Sequence, residues 1–166
     1  MALDAKAQVT FDPLQVRSYR LLGYENRAVA DEQFRDDTIA AAGIGAGHAV
    51  TALYELELMP GAGGAIGSVG LHWTDPTTHE AHETGIAVRT DDLSPSFAHA
   101  PARFRLASLV AAWAGALRRD PWAASVSLDE IADEVRLLYP ELQADPDVAE
   151  LVQLTAESAR VGGFGR

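Results

Sequence analysis

The chain has 166 residues, 48% of them hydrophobic and 22% charged, with 24 acidic residues against 13 basic ones and a formal net charge of -11. That is one domain's length with ordinary globular composition, which excludes a disordered chain, a collagen-like repeat and a coiled-coil rod. The acidity argues against nucleic acid or an anionic bilayer as partner, and the absence of cysteine removes disulfides, zinc–thiolate sites and thiol nucleophiles.

The first six residues show no alternation, and strand character begins at Gln8-Val9-Thr10-Phe11, closed by Asp12-Pro13. A second strand is expected from Val16 to Tyr24, where β-formers mix with Arg17 and Arg20 before Gly23. Glu25 to Gly47 is less regular, with an acidic cluster at Asp31, Glu32, Asp36 and Asp37, and reads as a long loop or a short helical turn. The clearest strand is Ala49 to Leu58: Val50, Ala52, Tyr54, Leu56 and Leu58 alternate with Thr51, Leu53, Glu55 and Glu57. Pro60 and the Gly61–Gly64 run end it in a turn. Ser68–Trp73 and Thr84–Val88 then read as a hairpin around Asp75-Pro76-Thr77-Thr78.

The chain changes character near Ser94-Pro95, and after Pro101 the period becomes helical. Leu106, Leu109, Val110, Trp113 and Leu117 lie on one face of a helix that stops before Asp120-Pro121, with Arg118-Arg119 placed to complement the helix dipole. A second helix opens at Ser127 with Glu130 in capping-box spacing and buries Leu128, Ile131, Val135 and Leu138. A third opens with Asp145 as N-cap and Pro146 at the first helical position, places Val148, Leu151, Val152 and Thr155 on one face, and meets its stop at Gly162. The fold class is α+β: an antiparallel, sandwich-like sheet part over residues 1–94 and about three helices over 95–166, sharing one core as a single domain.

Most motifs that suggest chemistry have a plainer reading. Gly43-Ile44-Gly45-Ala46-Gly47 resembles a phosphate loop but precedes a strand instead of following one, so it reads as a turn. Asp92-Leu93-Ser94-Pro95-Ser96 has the D-x-S-x-S spacing of a cation site but lacks the buried parallel strand and alternating βα units that such a site needs. His72, His79 and His82, with Asp75, Glu80 and Glu83 nearby, supply imidazole and carboxylate suited to a divalent ion. Against this, His79 and His82 are an odd number apart, which puts them on opposite faces of a regular strand. No G-x-S-x-G elbow is present, and the carboxylate pairs Asp36-Asp37 and Asp91-Asp92 have the pattern of a solvated acidic face.

Two segments carry a more specific pattern: Arg20-Leu21-Leu22-Gly23-Tyr24-Glu25-Asn26-Arg27 and Ile44-Gly45-Ala46-Gly47-His48-Ala49-Val50-Thr51-Ala52-Leu53-Tyr54-Glu55-Leu56. With Val9–Pro13 before them and Asp36-Asp37-Thr38 between, their order resembles the C-terminal region of bacterial von Willebrand factor type A proteins, an extension of unknown function that follows a cation-binding domain. The resemblance is strongest from Val9 to Leu56. It implies that these residues are a fragment of a longer protein whose cation site and secretion or lipoprotein signal lie upstream, and it implies an extracytoplasmic or cell-envelope location. It transfers no catalytic residues.

In this region Gly23, Gly43, Gly45 and Gly47 are expected to supply bends or close backbone approach, Tyr24 and Tyr54 to bury rings, and Glu25, Arg27 and Glu55 to form a charge-assisted network that fixes strand register. His48 reads as a hydrogen-bonded structural histidine, and Arg20 and Asn26 complete the motif. The functional expectation is a non-catalytic structural or protein-interaction module, not an enzyme, with no cofactor in this chain and no membrane insertion. Its expected partners are an upstream von Willebrand factor type A domain of the same protein and another protein, with dimerisation through an exposed first strand. The competing expectation is a metal-binding domain or metal-dependent enzyme using His72, His79 and His82.

Overall fold

In the computed structural model, which describes residues 2–22, 49–120, 123 and 126–162, five antiparallel strands precede three helices among the described residues. The chain divides into two compact units, Met1–Leu93 and Ser94–Arg166.

In the first unit, β1 (Leu3–Phe11) is longer than the alternation indicated. The reason is a register shift: Leu3 faces Thr74 while Lys6 faces His72, and Asp4 adopts φ 49°. A bulge there breaks the period of two without ending the strand. Asp12 closes β1 as expected; its carboxylate accepts the Leu14 N–H at 2.8 Å and its carbonyl accepts those of Gln15 and Val16. β2 (Val16–Leu22) follows and pairs with β3 (Leu53–Leu58) as a two-stranded ribbon. The alternating stretch from Ala49 is strand only from Leu53, because the described pairing ends where Leu22 meets Leu53. Alternation marks faces, not where a ladder stops.

β4 (Ala65–Thr74) and β5 (Ala81–Arg89) complete a three-stranded sheet in the order β1-β4-β5. Gly61 and Gly64, at φ 80° and 76°, make the turn into β4. A Cβ on Gly67 would overlap the Thr10 carbonyl, so only glycine allows β1 and β4 to approach there. The β4–β5 turn is built by Asp75, whose Oδ1 accepts the N–H groups of Thr77 (2.7 Å) and Thr78 (2.9 Å). Those donors hold its carboxyl below the usual range.

The second unit contains α1 (Ala102–Leu117), α2 (Leu128–Leu142) and α3 (Pro146–Gly162). Its core joins Leu109 to Ile131, Val135 and Leu138, with Leu106, Trp113, Leu142, Leu151 and Val152 packed around them. The capping box forms: the Glu130 N–H donates to Ser127 Oγ and the Ser127 N–H to Glu130 Oε2, both at 3.0 Å. The Asp147 N–H donates to Asp145 Oδ1 at 3.2 Å, making Asp145 the N-cap of α3. Thr155, 1% exposed, satisfies its hydroxyl on the Leu151 carbonyl, and the Trp113 indole N–H donates to Ser158 Oγ at 2.8 Å.

Candidate interaction surface

The ribbon of β2 and β3 separates its side chains by chemistry. Tyr19 faces Leu56 and Leu21 faces Tyr54, while Arg20 faces Glu55 on the opposite side. The apolar side carries an aromatic group: the Phe11 ring lies 4.6 Å from that of Tyr19 and 5.6 Å from that of Tyr54, the second edge-on at 68°. Tilted and edge-on contacts are the preferred geometries for aromatic pairs. Burial, and secondarily the neighbouring Tyr19, raises the Tyr54 hydroxyl above its ordinary value of 10.0. Tyr19 itself is 60% exposed, so one edge of this group is presented to solvent.

On the charged side, Arg20 Nε donates to Glu55 Oε2 at 2.6 Å. Arg17 Nη1 donates to Glu57 Oε1 at 2.7 Å and Ser18 Oγ to Glu57 Oε2 at 3.1 Å. Two adjacent residues reach one glutamate because the register shifts between Val16 and Ser18. Among the described residues Glu55 pairs with Arg20; Glu25 and Arg27, the other members of the expected network, lie outside them. Of the other motif residues, Gly23, Tyr24, Glu25, Asn26, Arg27, Gly45, Gly47 and His48 lie outside the described residues, as do Asp36, Asp37 and the Gly43–Gly47 run. Phe11, Arg17, Tyr19 and Glu57 were not singled out by sequence pattern. The opposite charges of β2 and the Glu55/Glu57 alternation were the usable signal, once a register was assumed.

The hairpin histidines do not converge. His72 faces Glu83 and Trp73 faces His82, successive pairs that point to opposite faces of the sheet. His72 is buried, whereas His82 is exposed and stacks on Trp73 with ring centroids 5.5 Å apart. His79 sits in the turn at φ 59°. Among the described residues no three His, Asp or Glu side chains form a group that could hold a metal ion. Asp92 of the D-x-S-x-S stretch uses its carboxylate locally, accepting the Arg89 N–H at 2.8 Å to start a short turn over Thr90–Asp92. No described helix is long and apolar enough to cross a membrane.

The geometry defines an antiparallel strand module with one exposed aromatic edge and one ion-paired face. Comparison with known proteins places a resemblance on the same strands. The family described as "Uncharacterized protein YfbK, C-terminal" matches residues 1–67. The uncharacterized protein YfbK of Escherichia coli (strain K12) is 47% identical over 58 residues, 35% of this chain and 10% of that relative. The chain thus spans a tenth of that relative's length, and the residues matched by the family include β1, β2 and β3. No solved structure matches the chain.

Proposed function

We propose that the strand unit is a non-catalytic interaction module of a longer protein, and that it docks on a von Willebrand factor type A domain lying upstream in the same polypeptide. The observation that carries this reading is the ribbon of β2 and β3, whose aromatic side leaves Tyr19 exposed while its opposite side carries two arginine–glutamate pairs. Exposed tyrosine and arginine are residue types enriched where proteins bind proteins. The similarity of residues 1–67 to a C-terminal region supports a place after other domains, and the von Willebrand factor A context rests on the motif resemblance. An extracytoplasmic or envelope location belongs to the same proposal; finding the protein only in the cytoplasmic fraction of cells would contradict it.

The test is calorimetric melting of the full-length protein beside its separated parts. Docking predicts that the strand unit melts at a higher temperature in the full-length protein than alone. Identical melting temperatures would refute the support role. No observation among the described residues favours the metal-dependent alternative.

A further inference from the structure

We propose that β5 is a homodimerisation edge, pairing antiparallel with β5 of a second copy about a twofold axis at Ile86. This does not depend on the reading of the ribbon, and β5 lies beyond the stretch matched by the family.

Every residue from Ala81 to Ala87 is exposed, Ile86 at 70%, whereas β1, the other edge of the sheet among the described residues, is largely half-buried. A strand edge of this kind is a template for another strand. The backbone polarity of β5 follows from two bonds: the Thr90 N–H donates inward to the Gly64 carbonyl at 2.9 Å, and the Arg89 N–H donates to Asp92 Oδ2. Alternation along an antiparallel strand then directs the backbone groups of Glu83, Gly85 and Ala87 outward.

Among the twofold registers, the one centred on Ile86 is self-complementary in charge. It sets Glu83 opposite Arg89 of the second copy at both ends and lets Gly85 and Ala87 exchange backbone hydrogen bonds with their counterparts. Thr84 then meets Val88, and Ile86 meets Ile86. A register centred on Gly85 would instead set Glu83 against Ala87 and His82 against Val88, with no ion pair. The apolar row Val9–Val69–Ile86, already aligned across β1, β4 and β5, would continue through the second copy, stacking cross-strand apolar pairs over six strands. Asp92 limits the extension, since its carboxylate occupies the Arg89 N–H.

The absence of cysteine makes the test direct. The two Ile86 residues would form a non-hydrogen-bonded pair, with Cα atoms about 4.5 Å apart, within the range of about 4.4–6.8 Å that a disulfide accepts. Under mild oxidation Ile86→Cys should cross-link to a dimer, while Leu14→Cys, at a site 78% exposed, should not. Sedimentation of the unmodified chain should reach twice the mass of the 17.7 kDa monomer as concentration rises. Glu83→Arg and Arg89→Glu should each shift the protein towards monomer, and the double exchange should restore the dimer. A monomer at every concentration would overturn the proposal. So would faster cross-linking through Val9→Cys on β1 than through Ile86→Cys, or a double exchange that fails to restore dimerisation.

Discussion

Phe11 and Tyr19 belong to different sheets, yet their rings lie 4.6 Å apart. This contact fastens the ribbon of β2 and β3 to the β1-β4-β5 sheet from its apolar side, leaving the charged side to solvent. The two sides should respond differently to the same experiment.

A double-mutant cycle on Phe11 and Tyr19, read by urea unfolding, should give a coupling of about 0.5–1.5 kcal/mol that salt does not change. The cycle on Arg20 and Glu55, whose side chains are 30% and 56% exposed, should give less than about 1 kcal/mol and shrink with added salt. A larger, salt-independent value for the ion pair would reverse this assignment.

Leu137 and Leu138 are adjacent in α2 but 68% and 2% exposed. Leu138→Ala should cost about 2–5 kcal/mol by opening a cavity, and Leu137→Ala should stay within about 0.5 kcal/mol apart from the small change in helix propensity. Equal losses would mean that α2 is rotated from its present orientation.

Gly67→Ala should destabilise the strand unit by about 1–3 kcal/mol, because the new Cβ must displace the Thr10 backbone oxygen or spread β1 from β4. Amide exchange would show the loss concentrated in β1 and β4. An unchanged exchange pattern would rule out this close approach.

Glu130 and Asp145 both have carboxyls lowered from their ordinary values of 4.5 and 3.8. The main cause for Glu130 is the Ser127 backbone N–H, and for Asp145 the Arg103 guanidinium at 2.6 Å. A depressed folded-state pKa contributes stability above the unfolded-state pKa, and that contribution is lost as pH falls through the folded value. Helical-unit stability should therefore fall below about pH 4.5, and Glu130→Gln with Asp145→Asn should flatten that fall. A slope unchanged in the double variant would assign the acid sensitivity to other groups.

The second and third helices were legible nearly residue by residue, because Ser127, Glu130, Asp145 and Pro146 are local signals and the Ile131–Val135–Leu138 stripe reports its own period; of the face expected on the first, Val110 and Leu117 are 40% and 51% exposed. Strand faces were equally legible, as Tyr54, Leu56 and Leu58 against Glu55 and Glu57 show. The start of β1 was hidden by the bulge at Asp4, and the start of β3 by a ladder whose end depends on its partner. The ion pairs of the ribbon were illegible for the same reason: Arg17, Ser18, Arg20 and the two glutamates are some forty positions apart in sequence. Only register brings them together. The hairpin histidines were close in sequence, and the pleat separated them.

The proposed function requires that the aromatic edge of the ribbon bind another part of the same protein. Its most direct test is isothermal titration of this chain with the separately produced upstream portion, using Tyr19→Ala for comparison. Saturable binding that Tyr19→Ala weakens at least about tenfold, a loss of about 1.4 kcal/mol, is the predicted result. Absence of binding, or equal affinity in the two proteins, would contradict it.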